Sequence, residues 1–287
     1  MKNIALLFLF LSSCCFPTKG PPGDASSLAW KPPEVEYEEN VIDCNGEARG
    51  RFNIKETGTV IRNCTIHGDV RIFGIARNAN SNALRELSRT ADYVTTLRNK
   101  SPSHIVIEDS KIIGSGTVPL YVGPGVTFVT IKNVTISGYS RSTMVYLGAE
   151  SSRITIENSL IDATKADREA IAIDSSDHNV IKGNTIFMGE HGGIFTYRNC
   201  GENKTIRHTT PSYSHIIENE FKGGGTAIFL GSRNGNRCYC DLDDGFPFGS
   251  SASDLDHSRF NLVKDNNLNG AKIKIGSAYS NIVQESK

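Results

Sequence analysis

Several features that would have assigned this chain to a class are scarce or missing. Lysine plus arginine and aspartate plus glutamate each number 31, so no net charge draws it to nucleic acid or to an anionic surface. A polyanionic ligand would have to be held by a local cluster. Only three methionines occur and the seven histidines are dispersed, which argues against metal delivery. Cys238-x-Cys240 has one outlying cysteine and no histidine at ligand spacing, so no metal is expected there. After Ile4 to Leu11, no apolar run is long enough to span a membrane. Gly231 to Arg237 is glycine-rich, but it lacks the Gly-Lys-Ser/Thr of a phosphate loop and reads as a turn.

What is present is a repeat. Ile131-Lys132-Asn133-Val134-Thr135-Ile136 recurs as Ile156 to Ile161 and as Ile181 to Ile186, with weaker copies from Ile61, Ile107, Ile216 and Val263. The first positions are separated by 46, 24, 25, 25, 35 and 47 residues, a fixed period with insertions, as in a solenoid. Each copy is β-branched and too short for a helix. Its third position favours residues that tolerate the left-handed backbone region, so each copy is expected to be two short strands joined by a tight bend. About ten residues earlier lies a further strand, often flanked by glycine: Val70–Phe73, Leu120–Val122, Val145–Leu147, Ile171–Ile173, Ile194–Thr196, Ile228–Leu230 and Ile273–Ile275.

Three short strands per turn predict an all-β, single-stranded right-handed parallel β-helix over residues 41–287, with about eight coils and loop insertions at one corner. On these motifs the chain resembles the β-helix repeat family of carbohydrate-binding proteins and sugar hydrolases, related to pectate lyases and alginate epimerases. The resemblance implies a polysaccharide partner. It is specific for fold and weak for reaction.

The N-terminus predicts export. Met1-Lys2-Asn3 is basic, and the apolar run after it has the length of a signal-peptide core. Leu11-Ser12-Ser13-Cys14 looks like a bacterial lipobox, which implies cleavage after residue 13 and lipid on Cys14. The proline-bearing stretch 14–40 reads as a tether from membrane anchor to body. The expected product is a monomer held to a bacterial membrane by its lipid alone, at the outer membrane or on the periplasmic face. An oxidising compartment favours disulfides. Cys44 and Cys64 are one expected pair, and Cys200 with Cys238 or Cys240 is another.

Insertions run from Phe73 to about His104, from Arg198 to Ser214 and from Ser232 to about Arg259. All leave the coil at one corner, so they are expected to wall a groove that is low in the middle. Leu84, Leu87, Val94 and Leu97 predict a small helix within the first. In the strand preceding that corner, alternation turns Arg71, Tyr121, Tyr146, Ala172, Phe195, Phe229 and Lys274 outward. Such an aromatic strip is expected to bind sugar faces, or alternatively to be buried beneath the insertions.

Removal of a C5 proton from a uronate needs a base, a cation for the carboxylate and a proton donor. The candidates are His191 or His208 as base, Arg198 or Arg207 for the carboxylate, and Tyr197 as acid. Tyr121, Tyr146, Arg168, Asp174, Phe195, Phe229 and Arg233 are expected to bind substrate. The expected function is a lyase or C5-epimerase acting on a uronic-acid glycan. The alternatives are a non-catalytic module for glycan binding or polymer export, and a glycoside hydrolase. The last is disfavoured because the grouped aspartates of β-helix hydrolases are missing. No cofactor is expected, with calcium at Asp241, Asp243 and Asp244 the one alternative.

Overall fold

A computed structural model describes residues 31–32, 34–75, 82–90, 92–198, 205, 207–231, 258–276 and 278–284. Cys14, Cys200, Arg233, Cys238, Cys240 and the Asp241–Asp244 cluster lie outside the described residues.

Within them, the repeat motifs stack into three parallel sheets of nine, seven and eight strands, with a further parallel pair. In the nine-stranded sheet the first motif positions sit in register, Ile61 beside Ile107, Ile131, Ile156, Ile181, Ile216 and Val263. All seven are fully buried in one continuous core. Burying each such side chain stabilises the coil by about 1.5–3 kcal/mol. The third motif positions take the expected left-handed backbone: Asn63, Asp109, Asn133, Asn158, Gly183, Glu218 and Asp265 all have φ between 47° and 65°. That bend carries the chain from the nine-stranded sheet into the seven-stranded one.

Buried polar side chains satisfy the backbone where the chain turns. Ser159 N–H donates to Asn184 Oδ1 at 3.0 Å, Asn184 N–H to Asn219 at 3.1 Å, and Asn219 N–H to Asn266 at 3.0 Å. A second ladder, before the nine-stranded sheet, runs from Asn179 through Ser214 to Asn261 and Asn281. Each rung ties one coil to the next and pairs a buried backbone amide. Cys44 and Cys64 are joined by a disulfide in the first coils.

The eight-stranded sheet contains the glycine-flanked strands, among them Leu120–Val122, Val145–Leu147, Ile171–Asp174 and Ile194–Tyr197. The first insertion forms two helices where one was expected, Asn82–Leu87 and Tyr93–Lys100. Leu84, Tyr93, Val94 and Leu97 bury a small core of their own, with Leu87 against it.

Candidate functional site

Strand alternation builds the site. Register pairing aligns Arg71, Tyr121, Tyr146, Ala172, Phe195, Phe229 and Lys274 on the outer face of the eight-stranded sheet. The Tyr121 and Tyr146 rings stack with centroids 5.4 Å apart and planes 4° apart, while Phe195 meets Phe229 edge-on at 5.4 Å. Cations close the column at both ends, with Arg71 over Tyr121 at 5.6 Å and Lys274 over Phe229 at 5.5 Å. The column is not the continuous open strip expected. Tyr121, Tyr146 and Phe195 are half-buried, but Phe229 is 5% exposed and Ala172 is fully buried.

The insertion side of this sheet is closed. The first two insertions meet each other instead of standing apart as groove walls. His208 Nε2 lies 2.7 Å from the Ser88 carbonyl oxygen, and its ring lies 4.9 Å from that of Tyr93. The backbone N–H groups of His208 and Thr209 both donate to the Glu150 carboxylate, at 2.7 and 2.9 Å. Arg98, from the second helix, donates to the Glu150 carbonyl oxygen and to Asp177 Oδ2, both at 2.8 Å. These contacts fasten both insertions to the coils. They give His208 a structural task at odds with its expected role as base.

Beneath this closure, Tyr146 donates to Asp174, which is fully buried and also accepts from Ser175 Oγ at 3.3 Å. Asp174 is therefore buried away from any substrate, at odds with its expected contact with one; it holds the Tyr146 hydroxyl instead. Arg207 is 1% exposed and Arg198 is fully buried, so neither presents its guanidinium to a polymer. Burial opposes the charge of Arg207, but Asp174 foremost, then the tyrosines and Glu150, outweigh it and raise its pKa. Burial pushes the Tyr121 hydroxyl up to about 12, and it raises Tyr146 too, reinforced by Asp174. Both phenols thus remain protonated near neutral pH and can donate.

Tyr197, expected as a proton donor, is 1% exposed. Its hydroxyl donates to Glu169 Oε1 at 3.1 Å and accepts from Arg168 at 3.2 Å. Arg168 also pairs with Glu169 at 3.5 Å, and its side chain is 36% exposed. Burial opposes its charge, but Tyr197 and Glu169 raise its pKa on balance. Tyr197 thus orients a reachable guanidinium.

The opposite side of the sheet is open. A pocket of about 400 Å³ is lined by Tyr139, Lys165, Asp167, Glu190 and His191, among others. His191 and Glu190 are exposed, and Tyr139 Oη lies 3.5 Å from Asp167 Oδ2. None of the other four catalytic candidates lines it. The turn Asp167-Arg168-Glu169 connects this pocket to the buried network. Tyr139 was missed in the sequence because the strand Thr135–Ser140 runs four residues beyond the repeat motif, which ends at Ile136. Glu150 was missed because it sits in a short corner that looked empty, although it is fully buried. Among the described residues, no group of three or more His, Cys, Asp or Glu could hold a metal ion.

Two likenesses bear on this geometry. The A-module of mannuronan C-5 epimerase AlgE6 from Azotobacter vinelandii superposes with a TM-score of 0.52 at 10% identity, which shows the fold alone. The likeness covers 87% of this chain and 59% of that one, so the chain spans about three fifths of that module's length. No curated protein matches the sequence. The family described as the right handed beta helix region matches residues 52–210. With more than half of its length inside that match, the chain belongs to the right-handed β-helix family.

Proposed function

We propose that this protein acts on a uronic-acid polysaccharide by removing the C5 proton, as a lyase or a C5-epimerase. The observation that carries the reading is the open pocket of His191, Asp167, Glu190 and Tyr139. It adjoins Arg168, whose guanidinium donates to Tyr197 and interacts with Tyr146 on the outer face of the eight-stranded sheet.

In this reading His191, exposed in the open pocket, takes the C5 proton. Arg168, the reachable cation, stabilises the carboxylate as it becomes enediolate-like. Tyr139 returns a proton: to the opposite face of C5 for epimerisation, or to the departing 4-linked oxygen for elimination. Arg207 and Asp174 position Tyr146, and Phe195 packs on a sugar face. The likeness to a mannuronan epimerase supports this as fold analogy. The reading includes an exported protein, which the Cys44–Cys64 disulfide supports, since disulfides persist in oxidising compartments, and a lipid on Cys14.

A panel of uronate polymers tests it. Elimination raises the ultraviolet absorbance of an unsaturated product, and epimerisation exchanges C5 hydrogen for solvent deuterium by NMR. One signal is expected, and it should vanish in His191→Ala. Silence in both assays, with a polymer still bound, would make the protein a non-catalytic glycan-binding module. Membrane fractionation of wild type and Cys14→Ser tests the anchor, with release of the variant expected.

A further inference from the structure

Each coil has a second left-handed corner, at the entry to the nine-stranded sheet, and it is filled quite differently from the first. His104, Phe128, Arg153, His178, Tyr213 and Phe260 occupy it with φ between 54° and 59°. Large side chains are unfavourable in this backbone region, where Asn, Asp or Gly is ordinarily found. Gly58 and Ser280 hold the same corner in the first and last coils, but the six large, flat side chains in a row between them mean that something other than backbone preference selects them.

They form a ladder. Tyr37 stacks on His104 at 4.6 Å and His104 on Phe128 at 4.8 Å; Arg153 lies 5.6 Å over Phe128. His178 then stacks on Tyr213 at 4.9 Å, and Tyr213 on Phe260 at 5.1 Å. Neighbouring rings cover one another's faces, so the ladder turns its edges outward. Ring edges carry the positive end of the aromatic quadrupole. Tyr37, His104, Phe128, Arg153 and His178 border a pocket of about 450 Å³ whose lining also includes Val106, Thr130, Thr155 and Val180. Arg153 lines this pocket beside the buried Arg98–Asp177 ion pair, while Glu39 also lines it.

We infer that this ladder is a second, non-catalytic binding site for an acidic polysaccharide, on a different face of the solenoid from the His191 pocket. The lining of valine and threonine supplies apolar contact for a sugar ring. Positive ring edges, imidazole N–H groups and the Arg153 guanidinium meet hydroxyl and carboxylate oxygens. The rungs repeat once per coil, a step comparable to the advance per sugar along an extended pyranose chain. A polymer held here would stay near the protein between encounters with the other face, raising its effective concentration. The inference rests on the proposed reading only in taking the ligand to be an acidic glycan.

Asparagine substitutions give a clean test, because Asn suits the left-handed backbone at these positions. Fluorescent polymannuronate and polygalacturonate oligomers are titrated into the full chain, its Arg153→Asn and Phe128→Asn variants, and Tyr146→Phe. About a tenfold rise in Kd is expected for each ladder variant, steeper at low salt, with melting temperature and His191-dependent turnover of short oligomers preserved. Unchanged Kd in both ladder variants would overturn the inference and leave the ladder a packing device. If Tyr146→Phe alone weakens binding, the ladder site falls and the proposed substrate face stands. If only the ladder variants weaken binding and no turnover is found, the ladder site stands and the proposed catalysis falls.

Discussion

The two margins of the eight-stranded sheet solve opposite problems. At one, the insertions close over Glu150, Asp174, Asp177 and Arg207, all at most 1% exposed. At the other, short turns leave Asp167, Glu190 and His191 open to solvent. The difference separates scaffold from chemistry. Buried charges that are fully hydrogen-bonded hold geometry, whereas a general base must be reachable by the proton it takes. Residue type alone does not distinguish them, since both margins hold His, Tyr and carboxylates.

Breaking the closed margin should cost the most. Arg98→Ala leaves Asp177 buried without its guanidinium, and a loss of about 3–5 kcal/mol is expected in denaturant unfolding. Turnover per folded molecule should persist. Next comes Tyr146→Phe, which removes the phenol donor to Asp174 and should lower stability by about 1–3 kcal/mol. Acid acts on the same margin. Burial alone would raise the Asp177 pKa, but Arg98, His178 and Ser152 together hold it below the ordinary value. Its contribution is therefore present above the unfolded carboxylate value, near 3.9, and is lost as pH falls through the lower folded value. Urea unfolding between neutral and strongly acidic pH should show that onset, and Asp177→Asn should remove it. Smallest is the effect of His191→Ala on stability, expected within about 0.5 kcal/mol because the side chain is exposed on the open margin.

The solenoid was legible because each coil repeats the same physical demands. Ile61 to Val263 mark one buried column, and Asn63 to Asp265 mark one left-handed bend, so seven weak signals reinforce one another. The strand predicted at Val145–Leu147 has the observed bounds, and that at Ile171–Ile173 is one residue short. The insertions have no such redundancy. Spacing placed His208, Arg198 and Arg207 on the correct side of the coil, yet it could not tell that the first two insertions touch. That contact depends on single pairs such as His208 with Ser88, 120 residues apart, just as the first insertion's hold on the coils depends on Arg98 with Asp177, 79 residues apart. Alternation likewise turned Phe229 outward correctly, but an outward side chain is open only where nothing lies over it.

The two histidines provide the most direct test, because each was a candidate base and each lies on a different margin. Turnover of the responsive uronate polymer would be measured for His191→Ala and His208→Ala, normalised to folded protein. Loss of the base in His191→Ala should cost about 10²- to 10⁴-fold. His208→Ala should keep its turnover and lose stability instead, as its contacts with Ser88 and Tyr93 disappear. The reverse pattern, with His191→Ala active and His208→Ala dead but folded, would place the chemistry under the insertions and contradict the account.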